Sequence, residues 1–444
     1  MTARGRTTLR GWGNTTPSTA RVAHLTSPTG PSDQLAAAGP RGSIARGLGR
    51  SYGDAAQNAG GVVLDMVATD GSLDLDTATG ALTADGGVSV DEILRRVVPQ
   101  GWILPVLPGT SHVTVGGAIA CDVHGKNHHR VGSIGSHLAS IDLVIPSGDT
   151  VTIGPNRDAH LFWATVGGMG LTGIISSATI DLRAIRSSRL RATTVRTSGL
   201  AATMDVLEQG DQRHEHSVAW VDLQQVSALG RGVVTFGDHA PPGDSDIAPG
   251  RRPPIVPRMP VSAIRPSTVG LFNELWWRRA PDRPRTRLTG ISRFFHPLDG
   301  LAGWPRLYGP NGFVQWQMVV PDSAAPLVGA IAARLAAGEA PVALAVLKRF
   351  GPGNPAPLSF PIAGWTLAVD LPAGAASTAV LLDELDELVS GVGGRIYLAK
   401  DARLRRSLVA RMYPRLGELD TIRAAIDPTR RMQSDLERRL LRSD

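Results

Sequence analysis

The chain has 444 residues, which is too long for one ordinary domain, so two domains are expected. Hydrophobic residues make up 42% of it, enough for sizeable cores, yet no window of about 18 apolar residues exists to span a membrane. The single cysteine excludes an internal disulfide, and the net charge of +7 raises the question of an anionic partner. Residues 1–12 carry arginines but no apolar core, so no secretory signal is recognisable.

The first candidate site is a glycine-rich loop at residues 45–54, which follows the apolar Ile44 and precedes a strand-like run at 62–65. Its spacing departs from the G-x-G-x-x-G fingerprint of nicotinamide-binding Rossmann folds, because the third glycine, Gly53, comes one position late. The next segment, 55–61, is too short and polar for a crossover helix. The loop alone leaves a turn between strands and a diphosphate-binding loop both open.

Short strands and helices alternate over residues 43–182. Ser89 and Glu92 form a predicted capping box that opens a helix. Residues 141–153 read as a β-hairpin around a turn at 146–149.

The densest polar chemistry lies in residues 116–129, GGAIACDVHGKNHH. Two adjacent glycines would let backbone N–H groups approach a ligand closely, and His, Lys and Asn side chains follow within a few positions. Such a surface is typical of an anionic cofactor held beside a reacting group. Together with the loop at 45–54, it favours one extended diphosphate ligand that bridges both loops.

Two other functions of this run are less consistent with its residues. Metal binding by His124, His128 and His129 lacks a Cys, Asp or Glu to complete the ligand set, and glycine interrupts the run, so no metal is expected. A catalytic thiol at Cys121 would need activation by His124. The small residues around Cys121 instead favour a packed or cofactor-contacting thiol.

From about residue 186 the pattern changes to longer elements. Strands are expected at 218–222, 313–320, 342–350 and 365–371, and helices at 324–336 and 376–390. The proline-rich stretch 238–265 has few periodic apolar residues and is expected to be a loop.

Most of the net charge comes from one segment. Residues 251–287 contain nine arginines and two acidic residues, a net charge of +7, together with Trp276 and Trp277. Arginines with interfacial tryptophans suit a surface of anionic lipid headgroups, although the same composition is consistent with a solvated loop. Nucleic acid is not expected as a partner, because no helix-turn-helix, zinc or stacking-platform pattern accompanies the charge.

A third glycine-rich segment, LFWATVGGMGLTGII at residues 161–175, indicates the family. It resembles the second FAD segment of the vanillyl-alcohol-oxidase/p-cresol-methylhydroxylase (PCMH) superfamily, in which the loop at 45–54 occupies the place of the pyrophosphate loop. Across nearly the whole chain the motifs resemble the decaprenylphosphoryl-β-D-ribose 2′-oxidase family: GRSYGD, PVLPGT, TVGGAIACD, HGKNHH, FWATVGG, APLSFPI and AKD. The short motifs alone indicate the superfamily, whereas HGKNHH together with AKD indicates the family.

The resemblance implies an α+β fold of the two-domain, FAD-binding PCMH type, with a flavin domain and an antiparallel-sheet substrate domain. The flavin domain is expected at 1–185 and the substrate domain at 186–394, with flexible basic loops at about 238–290. The segment 395–444 is expected to return to the flavin domain.

FAD is the cofactor that the resemblance implies. The matching positions are Ala45, Arg46, Gly47, Leu48, Gly49, Arg50, Ser51, Tyr52, Gly53, Asp54, Ala55, Gly109, Thr114, Val115, Gly116, Gly117, Cys121, Asp122, Val123, His124, Ile175 and Tyr397. Members with a covalently tethered flavin often carry a histidine at the place of Arg50. Because arginine cannot form that bond, FAD is expected to be bound non-covalently.

Oxidation of a secondary alcohol needs an acceptor for the hydroxyl proton and positive charge or donors near the reduced flavin. By resemblance Lys400, at the end of a strand predicted over 395–401, faces the flavin and the ribose. It would act either as a base with a pKa lowered by burial or as a cationic stabiliser. A surface lysine paired with Asp401 is the alternative, and His124 and Tyr52 are the other catalytic candidates.

Substrate contacts are expected at positions that line the pocket in the family: Lys126, Gln315, Gln317, Lys348, Thr366, Ala368 and Lys400. Lys126 is a candidate counter-ion for the lipid phosphodiester. Gln315 and Gln317 alternate on one strand face, which is equally typical of a solvent face. Relatives often carry asparagine at position 366 and cysteine at position 368, so the shape of this pocket and its response to thiol-directed inhibitors would differ.

The resemblance thus implies an FAD-dependent oxidoreductase that converts the 2′-hydroxyl of decaprenylphosphoryl-β-D-ribose to the 2′-keto sugar, the first half of an epimerisation for cell-wall arabinan synthesis. The expected partners are a keto-reductase that completes the epimerisation and a membrane surface. The expected location is peripheral to the cytoplasmic membrane, with the periplasmic side open. The alternatives are a soluble sugar or alditol oxidase of the same superfamily and a non-enzymatic basic binding protein, which flavin absorbance would exclude.

Overall fold

The computed structural model of the chain describes residues 5–24, 30–36, 38–67, 71–242 and 253–442. Arg251, Arg252 and part of the proline-rich stretch 238–265 lie outside the described residues. The strands are β1 (Arg6–Leu9), β2 (Ser18–His24), β3 (Ser43–Arg46), β4 (Val62–Asp65), β5 (Leu73–Leu75), β6 (Ala81–Asp85), β7 (Trp102–Ile103), β8 (Leu138–Val144), β9 (Thr150–Ile153), β10 (Ile174–Asp181), β11 (Arg183–Ala184), β12 (Arg189–Thr197), β13 (His216–Val221), β14 (Gly232–His239), β15 (Arg285–Gly290), β16 (Phe313–Pro321), β17 (Leu344–Phe350), β18 (Gly364–Pro372) and β19 (Arg395–Ile396). The α-helices are α1 (Pro31–Ala36), α2 (Val90–Val97), α3 (Val115–Ala120), α4 (His128–Val131), α5 (Ala159–Thr165), α6 (Leu200–Asp211), α7 (Pro266–Arg279), α8 (Ile291–Phe295), α9 (Pro326–Ala337), α10 (Ala376–Gly391), α11 (Arg406–Met412) and α12 (Leu416–Ile426).

The N-terminal part contains two larger sheets. In the sheet of order β1-β2-β4-β3, the strands β2, β4 and β3 run parallel, whereas the sheet of order β5-β6-β10-β8-β9 is antiparallel. The predicted capping box is confirmed, because the Ser89 hydroxyl accepts from the Glu92 N–H and the Glu92 carboxylate accepts from the Ser89 N–H. The predicted hairpin is confirmed as β8 and β9, with Ile141 opposite Ile153.

The following part is built on one antiparallel sheet of eight strands in the order β15-β12-β14-β13-β17-β18-β16-β19. Helices α6, α9 and α10 cover one face, where Leu207, Val328 and Leu382 join the core with sheet residues such as Leu347 and Val369. Side chains alternate between the faces of a strand, so the opposite face presents a separate set of residues. This arrangement confirms the predicted α+β class and the four predicted strands to within two residues at each end.

One expectation about the substrate domain was wrong. The sequence predicts flexible loops over about 238–290, but residues 266–279 form helix α7 and residues 285–290 form β15 at the edge of the large sheet. Tertiary contacts explain the difference, because the Trp277 indole donates to the Thr197 carbonyl oxygen at 2.9 Å and so fixes the helix to the end of β12. Apolar periodicity is weak here because several large apolar residues of α7 point outward.

The C-terminal segment packs on the N-terminal part. Met432 forms a parallel bridge to Ser43, and the Gln433 N–H donates to the Ser43 carbonyl oxygen at 2.9 Å. Helix α12 contacts α5. Among the residues that the structure describes, every helix is too short or too polar to cross a membrane.

We predict opposite effects on stability for two Gly→Ala substitutions in helices. A Cβ at Gly210 in α6 would lie 2.0 Å from the buried Phe236 ring, so Gly210→Ala should lower the free energy of unfolding by about 1–3 kcal/mol. Gly270 in α7 has no atom within 4 Å of an added Cβ, so Gly270→Ala should raise it by up to about 1 kcal/mol. Chemical denaturation of both variants measures this, and a stabilising Gly210→Ala would contradict the packing of α6.

Candidate active site between the sheet and two loops

The open face of the large sheet carries a row of polar side chains on β16 and β18. Gln315 pairs in register with Asp370, and Gln317 with Ala368. Between the two glutamines, the Trp316 indole points to the other face and donates to Asp386 of α10 at 2.8 Å. Both glutamines are buried, which excludes the alternative of a solvent face.

A hydrogen-bonded chain links this row to residues 116–129, called the second loop below. The Gln317 amide nitrogen lies 3.1 Å from His124 Nε2 and 3.0 Å from the Thr366 hydroxyl, which in turn donates to the Met318 carbonyl oxygen. Phe350 is in edge contact with the His124 ring. Burial, followed by the charges of nearby lysines, lowers the pKa of His124 well below its usual value, so this imidazole stays neutral at physiological pH.

Lys400 lies in a turn and not on the predicted strand, since β19 ends at Ile396 and the Lys400 N–H closes a turn with the Tyr397 carbonyl oxygen. Its neighbour Asp401 pairs with Arg439 at 2.8 Å, which excludes the alternative of a Lys400–Asp401 surface pair. Lys400 Nζ lies 5.7 Å from the centroid of the Tyr52 ring. Burial lowers the pKa of Lys400 to about 8, and the charge of Asp370 partly offsets this.

Asp370 lies in the site although no motif or spacing singled it out. It is fully buried on β18 and its Oδ1 accepts a hydrogen bond from the Gln315 amide. Burial raises the pKa of Asp370 to about 7, while the Gln315 hydrogen bond and the charge of Lys400 act in the opposite direction. The residues around Asp370 in β18 are mostly apolar, so the sequence does not single it out. Only the register of β16 against β18 brings its carboxyl group into the polar row.

Two more lysines face the same space. Lys348 Nζ lies 3.5 Å from the Gly125 carbonyl oxygen, and Lys126 Nζ donates to the Phe294 carbonyl oxygen. Burial lowers the pKa of each lysine to about 7, and in Lys348 the charges of Lys400 and Lys126 add to the effect. Among the described residues, Asp370 is the only carboxyl group whose charge affects the pKa of Lys400. Three lysines therefore share one such carboxyl group, and this excess of positive charge suits an anionic ligand.

The loop at 45–54 packs against the second loop and against the C-terminal segment. An added Cβ at Gly47 would lie 2.2 Å from the Thr114 hydroxyl, and one at Gly53 would lie 2.0 Å from the Asp401 carbonyl oxygen. Residues 45–52 keep part of their surface exposed, whereas Gly53 and the two residues after it are buried. The exposed run is therefore the part of this loop that a ligand can reach.

A buried ion-pair cluster, the Arg439 clamp, fixes the two sides of the site to one another. The Arg439 guanidinium donates to both carboxylate oxygens of Asp54 at 2.7 and 2.9 Å and pairs with Asp401 at 2.8 Å. The Tyr52 N–H also donates to the Ala399 carbonyl oxygen at 3.0 Å. Arg439 lies far from both motifs in sequence, so spacing along the chain could not have identified it.

The amide groups of Gly116 and Gly117 are not free to meet a ligand, contrary to the expectation from the sequence. The Gly116 N–H donates to the Gly86 carbonyl oxygen and the Gly117 N–H to the Thr114 hydroxyl, so both amides are used within the protein. A Cβ at Gly116 would lie 3.1 Å from Gly86 O, and these glycines therefore serve close packing. Cys121 lies 3.9 Å from the Ser51 hydroxyl, and burial raises the pKa of its thiol to about 11, so it is no thiolate.

Asp122 supports the site from behind. Its carboxylate accepts from the Asn354 amide at 2.8 Å, the Ser359 hydroxyl at 2.6 Å and the Gly135 N–H at 3.2 Å. These bonds fix the loop that follows β17. Tyr397 donates from its hydroxyl to the Cys121 carbonyl oxygen at 2.7 Å and stacks on Phe360.

The remaining cofactor candidates flank these groups. Val115 and Ile175 lie in the N-terminal core, Ala55 is buried beside Asp54, and an added Cβ at Gly109 would meet nothing within 4 Å. Arg50 stacks its guanidinium 3.8 Å over the Trp12 ring, and Arg46 donates to the carbonyl oxygens of Ala56 and Arg10. The positions not otherwise described lie within the loops: Leu48, Gly49 and Val123.

Known proteins resemble this chain over all or part of its length. Residues 34–154 match the FAD binding domain family. The chain is 40% identical to the decaprenylphosphoryl-β-D-ribose oxidase of Mycolicibacterium smegmatis, over 97% of each chain. It is 38% identical to an uncharacterized protein of Streptomyces coelicolor, over 80% of this chain and 100% of that one, and 25% identical to a Streptomyces alditol oxidase, over 60% and 58%.

The residues present fit an FAD. Two buried polar atoms at the site, His124 Nδ1 and Gln317 Oε1, have no hydrogen-bond partner within the described ranges. They lie beside three lysines and an accessible glycine-rich loop, the groups that a diphosphate, an electron-accepting ring and a sugar would use. With the domain match and the antiparallel second sheet, the expected PCMH-type fold is confirmed.

We predict that Asp370→Asn changes the dependence of stability on pH. A carboxyl group whose folded pKa is raised stabilises the native state fully below its unfolded pKa, and that stability is lost as pH rises through the folded value. From about pH 4 to 7 the wild type should therefore lose roughly 1–4 kcal/mol relative to Asp370→Asn, which cannot ionise. Thermal unfolding of both proteins across this range measures the difference, and parallel curves would contradict a buried carboxyl with a raised pKa.

Proposed function

The chain belongs to the decaprenylphosphoryl-β-D-ribose oxidase family of FAD-dependent oxidoreductases, and from this premise we propose that it oxidises the 2′-hydroxyl of decaprenylphosphoryl-β-D-ribose to the 2′-keto sugar. The observation that carries the proposal is Lys400, which is held beside Tyr52 at the polar face of the sheet, while its neighbour Asp401 pairs with Arg439 instead. A secondary alcohol needs such a group next to the carbon that gives up hydride.

FAD, when bound, supplies the acceptor for the hydride from C2′. Lys400 handles the proton of the same hydroxyl group. With a pKa of about 8, part of Lys400 is neutral near pH 7.5 and can take the proton, and its charged form would stabilise the alkoxide. The Gln315–Asp370 pair lies beside it and supplies the compensating negative charge.

The other lysines suit the lipid phosphodiester. Lys126 and Lys348 are partly buried with no carboxylate beside them, and desolvation favours their neutral forms. A bound phosphodiester anion would favour the charged forms instead, so the cost of burying the lysines is offset only when the substrate is present. His124, neutral and hydrogen-bonded to Gln317, would help orient the sugar.

The pocket around the sugar would differ from that of relatives at two positions. Thr366 donates to the Met318 carbonyl oxygen and accepts from Gln317, so its hydroxyl already serves a structural role. Ala368 is buried opposite Gln317 and offers no thiol. Oxidation of the sugar does not require a thiol here, because Lys400 and His124 supply the polar chemistry.

The product would retain its lipid phosphate and carry a ketone. An epimerisation then needs a keto-reductase as partner to return hydride to the opposite face. The lipid part of the substrate implies contact with a bilayer, and we place the protein at the periphery of the cytoplasmic membrane, with the periplasmic side open. The basic segment 251–287 is the candidate for that contact.

FAD should be released by acid because Arg50 stands where a tethering histidine would be required. We expect acid precipitation of the purified protein to leave the yellow colour in the supernatant. Colour that stays in the protein pellet would contradict non-covalent binding. Absorbance of both fractions gives the result directly.

The proposed reaction predicts a specific bleaching of the flavin. Mixing the FAD-loaded protein anaerobically with a prenylphosphoryl ribose should reduce the flavin, whereas free alditols such as xylitol should leave the spectrum unchanged. Bleaching by alditols and not by the prenyl sugar would favour the alditol oxidase alternative.

Two lysine variants separate chemistry from binding. Lys400→Ala should slow flavin reduction at saturating substrate by at least roughly 100-fold while FAD stays bound. Lys348→Ala is the matched control, and it should raise the substrate concentration for half-maximal rate with a smaller effect on the limiting rate. A limiting rate near that of the wild type in Lys400→Ala would remove Lys400 from the mechanism.

A further inference from the structure

Helix α7 exposes a continuous apolar face. Leu271, Phe272, Leu275 and Trp276 are 63, 55, 54 and 49% exposed, and the rings of Phe272 and Trp276 stack with centroids 6.1 Å apart. Positions i, i+1, i+4 and i+5 lie on one side of a helix. Large apolar side chains grouped in this way on a protein surface mark a site of interaction.

The opposite side of α7 is held firmly by the protein. The Asn273 amide donates to Asp222 at 2.7 Å, Glu274 pairs with Arg231 at 2.7 Å, and the Trp277 indole is bonded to Thr197. These contacts fix which side of the helix faces outward. The apolar face is therefore exposed because the other side of the helix is packed against the protein, and not because the helix is loosely attached.

A group of arginines, the basic rim, lies at the end of α7 and in the segment and strand β15 that follow it. Arg279, Arg283, Arg285 and Arg287 are exposed and form no ion pair with any residue that the structure describes, while Arg278 is paired with Glu274. Apolar and aromatic side chains beside unpaired arginines match the boundary between headgroups and acyl chains of an anionic bilayer.

The helix lies at the same end of the sheet as the candidate active site. Trp220 pairs with Val346, Leu344 with Asp370, and Asp370 with Gln315. Continued by two residues, this register puts Asp222, the anchor of α7, in one row with Leu344 and Asp370. At a strand spacing of about 4.8 Å, the anchor lies about 10 Å from Asp370.

We propose that α7 is a membrane-docking helix: Leu271, Phe272, Leu275 and Trp276 enter the interface of an anionic bilayer, and the arginines of the rim contact its headgroups. This inference rests on the proposed function in one respect: a prenyl-phosphate substrate would reach the site from a bilayer. A second copy of the chain fits the face less well. In a two-fold contact through this face, the unpaired arginines of one copy would lie next to those of the other.

Vesicle sedimentation of the FAD-loaded full chain tests the proposal. The wild type should bind vesicles of phosphatidylglycerol and phosphatidylcholine and bind pure phosphatidylcholine less well. Phe272→Gln with Trp276→Gln should weaken binding to the anionic vesicles roughly tenfold or more, and so should Arg283→Gln with Arg285→Gln. Val226→Gln with Val380→Gln, which removes two apolar residues that are even more exposed but lie outside α7, should bind like the wild type.

Three results would overturn the proposal. They are absence of wild-type binding, unchanged binding of the Phe272/Trp276 variant, and a wild-type dimer in light scattering that this variant abolishes, which would assign the face to a second copy. Flavin reduction by a short-chain, water-soluble prenylphosphoryl ribose should be the same in this variant and the wild type. If the wild type itself does not reduce its flavin with this substrate, the proposed function is refuted. The vesicle-binding result would still decide whether α7 docks on a membrane.

Discussion

The site depends on one buried ion-pair cluster, the Arg439 clamp. Arg439 joins Asp54, in the first glycine-rich loop, to Asp401, next to Lys400. The polar row of the sheet comes from one part of the chain and the loops from another, so neither contains a complete site. Gly53 lets the loop approach the Asp401 carbonyl oxygen, where a side chain would collide. The clamp thus holds the loop that carries Tyr52 against the turn that carries Lys400.

Three lysines withdrawn from water, with one carboxyl group to offset their charge, give this site its chemistry. Lys126, Lys348 and Lys400 are all desolvated, and Asp370 is the carboxyl group that offsets the charge of Lys400. In water these lysines would be fully charged near neutral pH, whereas here their pKa values fall to between about 7 and 8. An anionic ligand would restore the balance, so the proposed phosphodiester binding and the proposed proton transfer would both depend on this cluster. His124 stays neutral for the same reason.

Local patterns predicted the local elements well, as the capping box at Ser89 and the strands of the large sheet show. Long-range pairing could not be predicted. Asp370 is a single polar residue in an apolar strand, and only the register with Gln315 gives it a role. Helix α7 was expected to be a loop because its large apolar residues face outward, so the usual inward stripe is missing. The adjacent glycines 116 and 117 suggested amide groups free to meet a ligand, but both amides are hydrogen-bonded within the protein, one of them to Gly86 in a pairing that the sequence does not reveal.

Oxidation at C2′ is the central claim, and isotopic substitution at that carbon tests it most directly. The measurement is the anaerobic rate of flavin reduction by prenylphosphoryl ribose carrying deuterium at C2′, compared with the unlabelled sugar and with sugar deuterated at C3′. We expect a several-fold slower rate for the C2′ label alone, because the proposed oxidation breaks the C2′–H bond when hydride passes to the flavin. Equal rates for all three sugars, or slowing by the C3′ label, would contradict the assignment of the reacting carbon.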